Sequence, residues 1–187
     1  MQRYIHLFCI TLCLLLISGC AATGSNPSEK RATIQKMRQD VLAELYRVKP
    51  AARAQIQKAP GYAVFSNANV NIIFASFSGG YGVVRNSRTG RDTYMKMGEA
   101  GIGLGLGVKD FRAVFIFDNV PTMNRFIESG WEFGAHADAA AKAKDKGGEV
   151  GGEVVVDGIT IYQLTETGLA LQATVKGTKY WKDDDLN

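Results

Sequence analysis

The spacing of apolar residues changes at Pro60-Gly61, and this change constrains the fold more than any other feature of the 187-residue chain. Before it, apolar residues from Ile34 to Val48 recur at the three- and four-residue spacing of an amphipathic helix. After it, short runs rich in Val, Ile, Phe and Gly are separated by turn residues, as in strands. We therefore predict an α+β fold: N-terminal helices followed by a Gly-rich, mainly antiparallel curled β-sheet, with one further helix.

Helix-start signals refine this prediction. Asn26 is a candidate N-cap and Pro27 occupies the favoured first helical position, so a helix is predicted to begin there. Its apolar stripe packs on the core or lies on a membrane surface, and both interpretations stay open. A shorter helix is predicted from Pro50 to Lys58, and a third from Pro121 to Ser129.

Period-two alternation predicts the strands. Thr89-Gly90 and Asp157-Gly158 are candidate hairpin turns. The predicted strands are Tyr62–Ser66, Val70–Phe77, Tyr81–Arg85, Thr93–Met97, Ile102–Val108 and Ala113–Phe117.

Small residues alternate through two further segments. A strand over 101–108 carries only Gly on one face, which implies close approach of another group. A packed helix or a sharp bend is favoured there over a ligand groove. In residues 135–143 alanine likewise stands at every second position, and we predict a strand there although Ala favours helix.

The N-terminus resembles a bacterial lipoprotein signal. The apolar run Leu7 to Ile17 has the length of a signal-peptide core, and Ile17-Ser18-Gly19-Cys20 resembles the lipobox at which such proteins are cut and acylated. We predict a signal peptide at 1–19, acylation of Cys20, a flexible tether at 20–27 and one domain at 28–187. The alternative is an ordinary secretory signal with Cys20 as a bystander.

The predicted processing removes Cys9 and Cys13 and consumes Cys20, so the mature chain has no thiol for a disulfide, a nucleophile or a metal ligand. Ala21, rather than an acidic residue, follows the cysteine. By resemblance to lipoprotein sorting rules, this predicts a lipid-anchored protein of the bacterial outer membrane, with its domain facing the periplasm.

Charge and residue inventory exclude several function classes. The net charge of +4 is spread along a chain that carries both signs, which argues against a nucleic-acid partner and favours anionic phospholipid. After the signal, His136 is the one histidine, and with Asp138 it supplies two ligands, too few for a metal site. We predict no enzyme, cofactor or metal, and interpret Asp183-Asp184-Asp185 as a solvated charge run.

Several motifs between Ile34 and Trp181 resemble the SYLF domain family, found in bacterial lipoproteins and in eukaryotic lipid-binding and actin-associated proteins. The resemblance implies a compact α+β domain rich in antiparallel strands, with phospholipid or phosphoinositide binding in eukaryotic members, and it does not imply an enzyme. The matching segments are Lys58-Ala59-Pro60-Gly61-Tyr62-Ala63-Val64-Phe65, Gly79-Gly80-Tyr81-Gly82, the glycines of 101–107, Phe133-Gly134-Ala135-His136-Ala137-Asp138-Ala139, Ile161-Tyr162 and Gly168-Leu169.

Two features are candidate lipid contacts. Arg85, Arg88 and Arg91 flank the Thr89-Gly90 turn, and guanidinium groups bind phosphate in a bidentate manner. The segment Lys179-Tyr180-Trp181-Lys182 places two amphipathic aromatics between basic residues, as at membrane interfaces. The alternatives are a basic turn that serves solubility and a Trp181 that caps the core. We predict a membrane-anchored envelope lipoprotein that binds phospholipid or membrane surfaces; the alternative is a non-catalytic module that binds another envelope protein.

Overall fold

The computed structural model of the protein describes residues 26–72, 75–101, 112–132, 153–165, 168–169 and 178–187. Within these ranges three helices and nine strands form an α+β domain with a curled antiparallel sheet, which confirms the predicted fold class. The elements are α1 (Pro27–Val48), α2 (Ala51–Lys58), β1 (Gly61–Ile72), β2 (Ala75–Asn86), β3 (Asp92–Gly101), β4 (Arg112–Phe117), α3 (Val120–Ser129), β5 (Trp131–Glu132), β6 (Glu153–Val156), β7 (Ile159–Thr165), β8 (Gly168–Leu169) and β9 (Thr178–Lys182).

All described strand pairs are antiparallel. The order across the sheet is β5-β9-β3-β2-β1-β4-β7-β6, with β8 paired to β7. The consecutive strands β1, β2 and β3 form a meander, whereas β9 returns from the C-terminus to pair with β3 through Lys96 and Trp181. The C-terminal strand therefore lies beside the β2–β3 hairpin.

Helices cover both faces of the sheet. The side that we call the α1 face packs against α1 and α2 and includes Val64, Val114 and Tyr162. The opposite side, the α3 face, packs against Met123 and Phe126 of α3. Because neighbouring residues of a strand point to opposite faces, the central strands β1 and β4 are apolar on both sides.

Local signals in the sequence account for the element boundaries. The Asn26 side chain accepts from the backbone N–H of Glu29 at 3.0 Å, and that of Asn119 caps α3 by accepting from Thr122 at 2.8 Å. Asp157 and Gly158 have φ of 52° and 73°, the two positive values of a type I′ hairpin turn. The predicted helices and this turn are confirmed, with α1 beginning at Pro27, the last residue assigned to the tether.

One strand prediction is wrong. Residues 70–77 do not form a single strand, because Ile72 pairs with Ala75 and the chain reverses between β1 and β2. The sequence also indicated an interruption at Gly79-Gly80, whereas β2 continues through both residues to Asn86. A third glycine of β2, Gly82, is required by packing, because a Cβ built there would overlap the Phe65 ring. The predicted signal peptide, Cys20, the strand over 102–108, the alanine segment and His136 lie outside the described residues.

Candidate functional site

The basic aromatic segment at the C-terminus is divided between the two faces of the sheet. β9 directs Tyr180 into the core of the α3 face, where its side chain is 2% exposed. Trp181 points to the other face and is 44% exposed, and a Cβ built on Gly98 would lie 3.0 Å from its ring. Trp181 is thus an exposed aromatic side chain mounted on a paired strand, and it does not cap the core.

An aromatic cluster holds β9 in place. The Tyr180 ring lies 4.6 Å from that of Phe65 and 5.1 Å from that of Phe115, centroid to centroid, both in edge geometry. Phe126 of α3 and Trp131 of β5 contact the same group. Edge-on aromatic pairs add about 0.5–1.5 kcal/mol each beyond area burial. Tyr180 therefore has a structural role, and its neighbours Trp181 and Lys182 are presented by a fixed backbone.

The three arginines of the β2–β3 turn are also divided. Arg85 Nε lies 3.0 Å from Asp92 Oδ1, and its guanidinium also donates to the Gly90 carbonyl oxygen. Asp92 further accepts from Arg38 at 3.2 Å and from Gln35 at 2.9 Å. The Asp92 carboxylate therefore pairs with both Arg85 and Arg38, and it joins the turn to α1.

The tip of the turn leaves Arg88 and Arg91 exposed. Asn86 Oδ1 accepts from the backbone N–H groups of Arg88 at 3.0 Å and Thr89 at 3.1 Å, a side-chain turn that fixes the loop. Gly90 has φ of 71°, the left-handed conformation for which glycine is preferred. In the described part of the chain neither exposed guanidinium forms an ion pair. These two arginines are available to an anion.

A cavity of about 220 Å³ brings the two predicted basic features together. Arg91 reaches it from the turn and Lys182 from the end of β9, and α3 closes the opposite side with Glu128. The sequence did not predict this meeting, because it depends on the pairing of β9 with β3. The full lining is Val84, Asn86, Arg91, Thr93, Met123, Asn124, Ile127, Glu128 and Lys182.

The start of α1 lies at the same end of the domain. Arg31 Nε donates to the Leu186 carbonyl oxygen at 2.9 Å, and its guanidinium lies 5.8 Å from the centre of the Tyr94 ring. The Tyr94 backbone in turn pairs with the C-terminal segment, through Asp183 at 3.0 Å and Asn187 at 2.9 Å. The first turns of α1, the start of β3 and the end of β9 are therefore neighbours.

The C-terminal acidic run is not simply solvated. Asp183 is buried and lies 3.0 Å from Lys96 Nζ, and the exposed Asp185 lies 3.2 Å from the same nitrogen. The interpretation of Asp183 as a solvated residue is therefore wrong, because the strand β9 carries it against β3. Burial alone would lower the pKa of Lys96, but the hydrogen bonds and charges of the two aspartates outweigh it and raise that pKa.

The described residues offer neither a metal site nor a membrane-spanning helix. They contain no group of three or more His, Cys, Asp or Glu side chains arranged to hold a metal ion. None of the helices within them is both long and apolar enough to cross a membrane.

Comparison with known proteins finds one relative and no matching family model. The chain is 35% identical over 158 residues to a protein of Aeromonas veronii called beta cell expansion factor A. The aligned part covers 84% of this chain and 59% of the relative, so the chain spans less than two thirds of that protein's length.

Proposed function

We propose that the protein is a lipid-anchored lipoprotein of the bacterial outer membrane whose periplasm-facing, SYLF-like domain binds phospholipid surfaces. The observation that carries this proposal is the meeting of three features at one end of the domain: the start of α1, the exposed arginines of the β2–β3 turn and the end of β9. Residues 20–25 precede Asn26, the cap of α1. A flexible linker of this length spans only about 14 Å on average. An acylated Cys20 would therefore hold this end of the domain near the bilayer.

Charge at this end supports attraction to anionic lipid. Arg88, Arg91 and Lys182 are exposed and form no ion pair within the ranges that the structure describes. Lys179 contributes less, because Glu132 lies 3.2 Å from its amine. A basic residue near an anionic leaflet contributes about 1 kcal/mol of binding free energy, so the three cations together attract without anchoring.

Trp181 supports a second, salt-resistant contribution. It is one of two large apolar side chains exposed in the described part of the domain, and it shares its face of β9 with Lys179, two residues earlier. Indole groups accumulate at membrane interfaces because one edge is polar and the rest of the ring is apolar. Arg85 is held in an ion pair with Asp92 and is less exposed than Arg88 and Arg91, so it is not counted among the cations of this surface.

Cys20→Ala tests the anchor. Two or three acyl chains contribute about 0.8 kcal/mol per buried methylene, far more than the domain surface supplies, so the variant should leave the membrane fraction on carbonate washing. Retention of the washed variant in that fraction would contradict the proposed anchoring. Separation of inner and outer membranes on a density gradient tests the location.

Vesicle binding tests the domain itself. The domain from residue 21 onward should sediment with vesicles of phosphatidylglycerol and phosphatidylcholine at low salt, and less as added salt shortens the Debye length from about 30 to about 8 Å. The double variant Arg88→Ala/Arg91→Ala should weaken binding at low salt about thirtyfold, at about 1 kcal/mol per arginine. The control is Arg47→Ala/Lys58→Ala, which removes the same charge from exposed positions on α1 and α2.

Two results would contradict the proposed surface. The first is a folded, monodisperse domain that does not sediment with anionic vesicles at low salt. The second is an equal loss of binding in the test and control variants, since net charge rather than the turn would then account for the attraction.

A second candidate function is binding of another envelope protein. Val155 is 50% exposed on β6, the last strand on that side of the described sheet order. A sheet edge with an exposed apolar side chain is a surface on which a partner strand can pair. This function is favoured if Val155→Lys abolishes capture of a specific envelope protein while vesicle binding is unchanged.

A further inference from the structure

The cavity at the end of β9 has two walls of opposite character. The strand wall presents donors: the Arg91 guanidinium, the Lys182 amine and the amide of Asn86. Asn86 Oδ1 accepts the turn's backbone N–H groups, which leaves its amide nitrogen as the donor. The helix wall presents the Glu128 carboxylate and the side chain of Asn124, one turn apart on the same side of α3.

The opposite charges share the cavity without neutralising one another. Among the described residues Arg91, Lys182 and Glu128 form no ion pair, either with each other or with another side chain. A simple anion would be attracted by the strand wall and repelled by Glu128. A simple cation would be attracted by Glu128 and repelled by the strand wall. The electrostatic complement is a ligand that carries both charges, separated along its length.

The size of the cavity limits the ligand further. Its 220 Å³ is below the range of about 300–1,000 Å³ that holds drug-sized molecules, and it corresponds to about seven waters at about 30 Å³ each. An acyl chain does not fit beside the charged groups. Val84, Met123 and Ile127 give the floor enough apolar surface for a short methylene linker.

We propose that this cavity binds a phosphate joined by a short linker to a primary ammonium, the chemistry of the phosphoethanolamine head group. Arg91, Lys182 and Asn86 hold the phosphate, and Glu128 with Asn124 accepts from the ammonium N–H groups. If the head group belongs to a membrane lipid, this proposal rests on the proposed function. If the cavity binds a free compound with the same groups, the proposal is independent of it. A quaternary ammonium has no N–H to donate, so the site selects against choline.

Titration with soluble compounds tests the chemistry without a membrane. The ¹⁵N-labelled domain is titrated with phosphoethanolamine, phosphocholine and inorganic phosphate, and shifts are followed at the backbone amides of α3 and β9. Phosphoethanolamine should bind at least about tenfold more tightly than phosphocholine, the difference expected from one charge-assisted hydrogen bond.

Two substitutions test which group of the ligand each wall of the cavity binds. Lys182→Ala should weaken all three compounds, whereas Glu128→Gln should remove the preference for phosphoethanolamine and leave phosphocholine binding unchanged or tighter. Lys58→Ala and Asp184→Asn are the controls, since each removes a like charge from an exposed position outside the cavity lining. Both test positions are exposed, and the melting temperature of each variant shows whether the domain is intact.

The proposal would be overturned in favour of a plain anion site by two results together. Inorganic phosphate would bind as tightly as phosphoethanolamine, and Glu128→Gln would leave the affinity for phosphoethanolamine unchanged. An absence of shifts at 10 mM phosphoethanolamine, about the weakest binding of interest at roughly 3 kcal/mol, would also overturn the proposal.

A vesicle arm identifies the source of the ligand. Replacing phosphatidylcholine by phosphatidylethanolamine at constant phosphatidylglycerol should strengthen binding of the parent about tenfold, and of Glu128→Gln not at all. Soluble binding without this gain supports the head-group chemistry and assigns it to a free compound. Vesicle binding without any soluble binding supports the membrane function and overturns the cavity site, so the two proposals fail separately.

Discussion

Replacing Trp181 with Ala is expected to weaken the salt-resistant part of vesicle binding by ten- to a hundredfold. The side chain is 44% exposed, and a tryptophan presents up to about 250 Å², so about 110 Å² is available for transfer to a bilayer interface. At about 25 cal/mol per Å², complete burial contributes about 2.7 kcal/mol, or about a hundredfold in the dissociation constant. Burial of half that area gives the lower limit of about tenfold.

Vesicle sedimentation measures the dissociation constant of the parent and of each variant, and the intrinsic fluorescence of the parent shows whether Trp181 enters the interface. The chain has two tryptophans, and Trp131 is only 8% exposed within the aromatic cluster. A blue shift on addition of vesicles therefore reports Trp181. The titration is performed at 0.5 M salt, where the Debye length is below about 8 Å and the arginine contribution is screened.

Val155→Ala is the matched control for loss of exposed apolar surface. Val155 lies on β6, at the opposite end of the strand order from β9, so its loss should change the dissociation constant by less than about twofold. The reasoning is refuted if Trp181→Ala binds like the parent at high salt, or if Val155→Ala loses as much affinity. Trp181→Phe should retain most of the binding.

Three further predictions concern stability. Gly82→Ala should lower the free energy of unfolding, measured in urea, by about 1–3 kcal/mol, because the new Cβ overlaps the Phe65 ring. Gly98→Ala should lose less, because its new Cβ contacts only the edge of an exposed indole. A larger loss for Gly98→Ala than for Gly82→Ala would contradict the packing described. Asn119→Ala removes the cap of α3 and should lower the free energy of unfolding by about 1 kcal/mol. An unchanged free energy would show that the cap does not stabilise the domain. Because the pKa of Lys96 is raised in the folded state, its contribution to stability is complete below the unfolded value of 10.5 and is lost as the pH rises through the folded pKa. Lys96→Met should flatten that alkaline decline in urea midpoints, and an unchanged profile would assign it to other groups.

Local patterns predicted the helices and one hairpin because their causes are local. The caps Asn26 and Asn119 bond to amides three residues away, and Asp157-Gly158 adopts the positive φ values that its turn requires. The error at 70–77 arose where the reversal carries no strong turn residue. Periodicity alone does not distinguish one strand from two that meet there.

The candidate site was predicted only in part because its assembly is tertiary. Arg88, Arg91 and Trp181 were identified by residue type, but the ion pair of Arg85 with Asp92 depends on the register of the β2–β3 hairpin, and the second arginine on Asp92, Arg38, comes from the distant α1. The cavity likewise requires α3 to approach β9. Its Glu128 carried no signal in the sequence, since an exposed glutamate near a helix end is ordinary.

The position of β9 has a consequence for the order of events during folding. β3 pairs with β9 across nearly half the chain, and the Arg31–Leu186 hydrogen bond joins residues 155 positions apart. Non-local pairings of this kind require large loops to close, which places folding in the slow regime of milliseconds to seconds. Closure of the β3–β9 pair is therefore the slow step, and a chain in which that pair has not yet formed carries an unpaired β3 edge.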